Sequence, residues 1–298
     1  MAVARVVDVK TKSSKNQFIR RLVRSKIALG ASVVILLVTF AAVFAPLIAP
    51  NDPASLALIR RLKEPGFVDA SGREYWLGTD TIGRDVYSRL VYGARVSLVV
   101  GLSAVLVSGT IGVLLGLISG FFGGWADDVI MRVADIQLSF PTILLALAIM
   151  AVLGPGLDKI IIVLGLTGWV QYGRIVRGQV LSLKQEEFVL AARATGVRNW
   201  RIILRHILPN SWSPVIVIAS FSVASNIVSE ASLSFLGIGV PPAIPSWGVM
   251  LADSRQYLGI AEWLTIPPGL AISLTVLSIN ILSDWLRDFL DPRLKYIM

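Results

Sequence analysis

Val96-Ser97-Leu98-Val99-Val100-Gly101-Leu102-Ser103-Ala104-Val105-Leu106-Val107-Ser108-Gly109-Thr110-Ile111-Gly112-Val113-Leu114-Leu115-Gly116-Leu117-Ile118-Ser119-Gly120-Phe121 contains not one charged side chain. A helix rises 1.5 Å per residue, so about 20 such residues cross the ~30 Å hydrocarbon core of a bilayer. This stretch is long enough to span. Gly112, Gly116 and Gly120 recur at every fourth position, with Ser108 one turn earlier. They form a smooth stripe that lets another helix approach closely.

Outward from this run, five more uncharged or nearly uncharged stretches bring the candidate spans to six: 27–49, 96–121, 133–153, 160–175, 215–238 and 264–286. Of the 298 residues, 55% are apolar and 16% are charged, against about 25% charged in an ordinary soluble domain. Disordered, collagenous and conventional soluble enzymes are excluded. Backbone groups in lipid must satisfy one another, and no alternating ten-residue pattern signals a barrel, so the spans are helices. The expected fold is an all-α integral membrane protein of about six transmembrane helices. The first run follows Arg20, Arg21, Arg24 and Lys26. It is too long for the ~7–15-residue core of a signal peptide and reads as a retained span.

The net charge of +9 fits the positive-inside bias better than nucleic-acid binding. With the N-terminus inside, the inner segments (1–26, 122–132, 176–214, 287–298) hold 18 Lys and Arg against nine in the outer ones (50–95, 154–159, 239–263). Both termini are therefore expected in the cytoplasm. The chain divides into a tail (1–26), a first helix (27–49), an outer loop and lead-in (50–95), a five-helix core (96–286) carrying an inner loop at 176–214, and a second tail (287–298). There is no cysteine, and His206 is the single histidine. Disulfides, thiolate metal sites and His clusters are excluded, and no metal or catalytic residue is expected.

The fifth span carries Ser222, Asn226 and Ser229 on one face, with Glu230 beside them. A charge at mid-bilayer costs about 2.5–3.5 kcal/mol on insertion scales, so this helix should face a watery cavity or a polar partner. The four residues are candidates for a translocation pathway; the other reading of Glu230 is a bond to a neighbouring helix. Asp127 and Asp128 are adjacent, point about 100° apart on a helix, and read as a solvated turn.

Between spans four and five, 186–210 is helical in composition on both sides of Gly196, a residue able to end a helix in the left-handed conformation. Ala191, Ala192 and Ala194 leave a slim surface, Arg198, Arg201 and Arg205 recur at helical spacing, and Pro209 is expected to end the second short helix. From the residues alone this is either an amphipathic element lying on anionic lipid or a docking element for a cytoplasmic partner.

The segment resembles the EAA loop of ATP-binding-cassette importer permeases: Glu-Ala-Ala, three residues, Gly, nine residues, Ile, one residue, Leu-Pro. Ala191, Ala192, Gly196, Leu208 and Pro209 are in register, while Leu190 stands in place of Glu and His206 in place of Ile. Leu77-Gly78-Thr79-Asp80, Gly83-Arg84-Asp85, Ser88-Arg89 and Gly93-Ala94-Arg95-Val96-Ser97-Leu98 resemble the lead-in of dipeptide/oligopeptide permeases of the "C" type. So do Ser234-Phe235-Leu236-Gly237-Ile238-Gly239, Pro241-Pro242 and Pro245-Ser246-Trp247-Gly248-Val249-Met250-Leu251, and the ending Leu286-Arg287-Asp288-Phe289-Leu290-Asp291-Pro292-Arg293.

The resemblance implies a type I importer permease fold in a prokaryotic inner membrane, taking peptides from an extracytoplasmic binding protein. It implies a heterodimer with a homologous permease and two ATPase subunits, which bind the ATP and Mg. No phosphate loop of the Gly-x-x-x-x-Gly-Lys-Ser/Thr type occurs here, so this chain is a transport subunit and not itself an enzyme. Leu190, Ala191, Ala192, Arg193, Gly196, Arg198 and Arg201 would dock on an ATPase, with Leu208 and Pro209 passing the movement on. Arg84, Arg95 and Trp247 would meet the binding protein or the partner permease; local pairing of Arg84 and Arg95 with Asp80 or Asp85, and a headgroup-level Trp247, are the other readings. Glutathione, nickel complexes and sugars are alternative cargoes. A self-sufficient secondary transporter or channel is a remoter alternative, and an intramembrane hydrolase lacks its nucleophile and base.

Overall fold

The charge-free stretches of the sequence fold as long helices. The computed structural model describes residues 14–290; the first 13 residues of the N-terminal tail, and Asp291-Pro292-Arg293 with the rest of the C-terminal ending, lie outside them. Among the described residues, α1 (Ser14–Arg24) leads into α2 (Lys26–Val43), whose N-terminus is capped by Ser25. An outer segment carries a small antiparallel hairpin, β1 (Phe67–Val68) with β2 (Glu74–Tyr75). There follow α3 (Val86–Phe122), α4 (Gly124–Leu138), α5 (Thr142–Leu153) and α6 (Leu157–Leu183). Next come α7 (Glu187–Ala194), α8 (Asn199–Ile202), α9 (Trp212–Phe235), α10 (Trp247–Ser254) and α11 (Ile266–Leu290). Five of these regions are long and apolar enough to cross a membrane, or six if α4 and α5 count together.

The expected third span, 133–153, is corrected by that last pair, which bends by 88°. Pro141 cannot donate to the ladder and pushes Phe140 out of the helical region, so α4 stops and α5 starts afresh. Helices α3 and α6 instead run beyond the expected 96–121 and 160–175. Asp85 caps α3, accepting from the amides of Tyr87 (3.2 Å) and Ser88 (3.4 Å).

Packing is tightest between α3 and α6. A Cβ on Gly116 would lie 2.6 Å from the carbonyl oxygen of Gly173, and one on Gly120 would lie 2.7 Å from Val180 Cβ. The glycine stripe is thus an interhelical contact, as its spacing indicates. Polar ties join α4 to α6: Arg177 Nε and Nη2 donate to the two oxygens of Asp127 at 2.6 Å each, and Trp169 Nε1 donates to Gln137 at 2.9 Å. The expectation of a solvated turn at Asp127 and Asp128 is corrected for Asp127, which lies inside α4 in this ion pair; Asp128 is exposed.

Candidate functional site

Three sites emerge from this scaffold. The first is a cavity of about 590 Å³ among α3, α5, α6 and α9. Ser222, Ser225, Asn226 and Ser229 of α9 line it at successive turns, facing Thr167, Gln171 and Arg174 of α6, with Ser108 and Thr142 completing the polar wall. The structure brings Ser222, Asn226 and Ser229 together as the sequence predicts. Of the two readings of Glu230 the structure shows the bond to a neighbouring helix and not the cavity: it is fully buried, where Ser234 Oγ donates to Oε1 at 2.8 Å and Ser97 Oγ to Oε2 at 3.3 Å. One residue on from Ser229 is a turn of about 100°, enough to send its side chain into the α3 interface instead.

Sequence reasoning missed Ser108, Thr142, Thr167, Gln171, Arg174 and Ser225 as lining residues. Arg174, a charge inside a nominal span, was the available signal. Its guanidinium pairs with Asp135 of α4 while both side chains remain about half exposed.

The second site is the inner loop. Its apolar side packs on the ends of α3 and α6: Val189, Ile202 and Ile207 are fully buried in one cluster with Leu117, Phe121, Val176 and Val180. The opposite side is open. Leu190, Ala191, Arg193, Ala194, Arg198, Arg201 and Arg205 are exposed, Ala192 and Leu208 partly buried, and Pro209 exposed. Arg193 also stacks its guanidinium over Phe121, 4.9 Å from the ring centroid. Phe188 and Trp200 add exposed aromatic surface that the sequence pattern did not flag. Gly196 takes φ +75°, the left-handed corner between α7 and α8, with open space where a side chain would stand.

Pro209 does not end the second helix as expected. After α8 the chain widens into a π-turn over Ile203–Ile207, and Leu208 N–H reaches back to Ile203. That turn accommodates a proline, which has no N–H and whose ring would otherwise strike the carbonyl of Arg205. Asn210 Nδ2 (2.6 Å) and Ser211 Oγ (3.0 Å) satisfy the freed carbonyls of His206 and Ile207. A near-continuous helical path therefore leads from Gly196 into α9.

The third site is a cap at the other end. Arg84 is buried, with Nε on Asp80 (2.5 Å), Nη2 on Asp253 (2.8 Å) and Nη1 on the Pro242 carbonyl (3.2 Å). Buried Arg89 completes the cluster, 3.7 Å from Asp80 and 3.5 Å from Asp253. Burial raises the Asp253 carboxyl, opposed by the Arg84 and Arg89 charges. Trp247 is 2% exposed and donates to the Leu90 carbonyl at 2.9 Å. Gly93 makes room for it, since a Cβ there would lie 2.7 Å from the indole. Of the two readings of Arg84 the structure shows the local one, pairing with Asp80, while Trp247 is corrected from a contact or headgroup-level residue to a buried internal tie. Arg95 is exposed. Among the described residues, no group of His, Cys, Asp and Glu could hold a metal ion.

Long helices surround a hydroxyl- and amide-lined cavity, with an exposed helical loop at one end and a tied cap at the other, and the comparisons show that this is the architecture of a membrane transport subunit. The family described as Binding-protein-dependent transport system inner membrane component matches residues 112–296, and the N-terminal TM domain of oligopeptide transport permease C matches 16–65. The chain is 44% identical over 276 residues to the Dipeptide transport system permease protein DppC of Alkalihalophilus pseudofirmus, covering 93% of this chain and 89% of that one. It is 43% identical to the Di/tripeptide transport system permease protein DppC of Pseudomonas aeruginosa, covering 95% and 93%. It is 41% identical to the Glutathione transport system permease protein GsiD of Pectobacterium atrosepticum, covering 97% and 94%. A chain of the MetNI methionine ABC transporter, in inward facing conformations, shares the fold with a TM-score of 0.52 at 18% identity, covering 68% of this chain and 96% of that one. The chain belongs to the family of binding-protein-dependent transport system inner membrane components, so the expected permease class and inner-membrane location hold.

Proposed function

We propose that this chain is the permease subunit of an ATP-driven importer of di- or oligopeptides, delivered by an extracytoplasmic binding protein. It pairs with a homologous second permease, and two ATP-binding-cassette ATPases bind the ATP and Mg. The two dipeptide relatives support the cargo; the glutathione relative favours a tripeptide as a second reading. The excess of Lys and Arg on the loop side supports cytoplasmic termini and a cytoplasmic lever.

The observation that carries the reading is the open side of α7–Gly196–α8, joined by the π-turn to the helix that lines the cavity. Large exposed apolar side chains among unpaired cations mark a protein partner. Leu190, Ala191, Ala192, Arg193, Gly196, Arg198 and Arg201 sit in the ATPase cleft, and Leu208 and Pro209 pass its movement into α9. ATP drives opening only insofar as the closed ATPase pair prefers one permease state over another. Ser222, Asn226 and Ser229 offer hydrogen bonds along the route. The cap formed by the outer loop and the 241–252 turn meets the binding protein, with Arg95 as a candidate contact; Arg84 and Trp247 hold it in shape.

Gly196→Val tests this, since a β-branched residue does not tolerate φ +75°. The variant should insert in the membrane yet lose co-purifying ATPases and peptide uptake. Normal co-purification and normal uptake would overturn the docking assignment.

A further inference from the structure

The cavity wall is made of hydroxyls, amides and apolar groups, with one exception: Arg174 is its single charged lining residue. This residue lies at the inner end of the expected fourth span, 160–175, and lines the cavity, while its partner Asp135 lies outside the cavity lining; both side chains are about half exposed. Among the described residues, Asp135 is the only recorded hydrogen-bond acceptor for Arg174, and it takes one nitrogen. A guanidinium has five donors in a planar fork that matches a carboxylate bidentately. Among the described residues the rest of that fork has no hydrogen-bond partner, on a side chain that lines the cavity.

Resting on the peptide reading above, we infer that Arg174 is the transient counter-ion for the C-terminal carboxylate of the cargo, with Asp135 holding the guanidinium in place between cargoes. Peptides differ in every side chain but share this anion, so one cation on an otherwise uncharged wall reads what they have in common. The Asp135 pair keeps the site from being so electropositive that cargo is trapped: the arriving carboxylate exchanges with an exposed partner, and exposed pairs are weak. The hydroxyls and amides of Ser222, Asn226 and Gln171 serve the peptide groups behind the carboxylate.

The test uses the complete importer, with partner permease, ATPases and binding protein, in liposomes taking up a radiolabelled dipeptide. Arg174→Gln should lower uptake about tenfold or more, the worth of one charge-assisted hydrogen-bonded contact, while binding-protein-stimulated ATP hydrolysis persists. Arg174→Lys, which keeps the charge but loses the fork, should fall between the parent and Arg174→Gln, and Asp135→Asn should stay within about twofold of the parent. The double exchange Asp135→Arg with Arg174→Asp restores an ion pair but removes the cation from the wall, and uptake should stay as low as in Arg174→Gln. Full uptake in the double exchange would reduce the pair to a structural tie and overturn the inference, as would unchanged uptake in Arg174→Gln. If Arg174→Gln does not assemble, the double exchange alone decides. Failure of the parent complex to take up any peptide would instead strike at the cargo reading itself.

Discussion

The outer cap and the inner loop are both polar connections between spanning helices, yet they treat charge in opposite ways. In the cap, Arg84 and Arg89 are buried and shared between Asp80 and Asp253, and Trp247 is folded inward. In the loop, Arg198, Arg201 and Arg205 stay exposed beside Trp200 and Leu190, while only its apolar underside is committed to the chain's own core. Arg84 is hydrogen-bonded within the chain, and Arg89 lies 3.5–3.7 Å from the same two carboxylates with its Nη1 and Nη2 making no hydrogen bond, so both charges are committed to the chain's own structure. Cations left open beside exposed apolar side chains are the surface on which the proposed ATPase contact rests. The same residue type, arginine on a short motif, thus carries two roles, and burial separates them.

Breaking the cap should have the largest effect on stability. Trp247→Ala empties a fully packed site and should cost about 3–5 kcal/mol, read as a lowered unfolding temperature of the detergent-solubilised protein. Asp253→Ala leaves the buried Arg84 and Arg89 with Asp80 alone, and a loss of about 3 kcal/mol in the same assay is expected. Less severe is Gly116→Ala, which pushes a methyl against the Gly173 backbone and should cost about 1–3 kcal/mol. Removing the loop cations sharpens the contrast from the other side. Arg198→Ala with Arg201→Ala should change stability by less than about 0.5 kcal/mol, yet weaken retention of the ATPases on an affinity column.

The smallest effect concerns the hairpin. The Asp69 carboxyl accepts from Ser71 Oγ (2.6 Å) and from the amides of Ser71 (2.9 Å) and Arg73 (3.0 Å), and pairs with Arg60 (2.7 Å). The Ser71 bond is the largest cause holding it well below the ordinary carboxylate range. A depressed carboxyl contributes its stability in full above the ordinary value of about 4 and loses it as pH falls through the lowered one. Protection of the β1 and β2 amides, relative to their intrinsic exchange at the same pH, should therefore hold at pH 4 and fall below it, whereas Asp69→Asn should be less protected at pH 4.

Much of this was legible in the sequence, for identifiable reasons. Charge-free length gives spans, so the α3 stripe and the polar face of α9 could be read from spacing alone. Gly196 marked the corner because few other residues take that conformation. The break at Pro141 was missed because apolar composition masks a local backbone constraint. Glu230 stayed between two readings in the sequence, since only about 100° separates the cavity from the α3 interface, and the bond to Ser97 decides between them. Trp247 was misplaced, and the Asp253 half of the Arg84 cluster went unseen, because Leu90 and Asp253 lie more than 150 residues from them in sequence, whereas the Arg84–Asp80 pair, four residues apart, was legible. Only folding brings them together.

The central claim is that the open side of the inner loop seats an ATPase. The chain has no cysteine, so one introduced by Ala194→Cys is unique. In inner-membrane vesicles holding the assembled importer, a short bifunctional thiol–amine reagent should join that position to an ATPase subunit, with the yield changing when ATP is added. Vesicles that still take up peptide while this position crosslinks only to lipid, or to its own chain, would contradict the account.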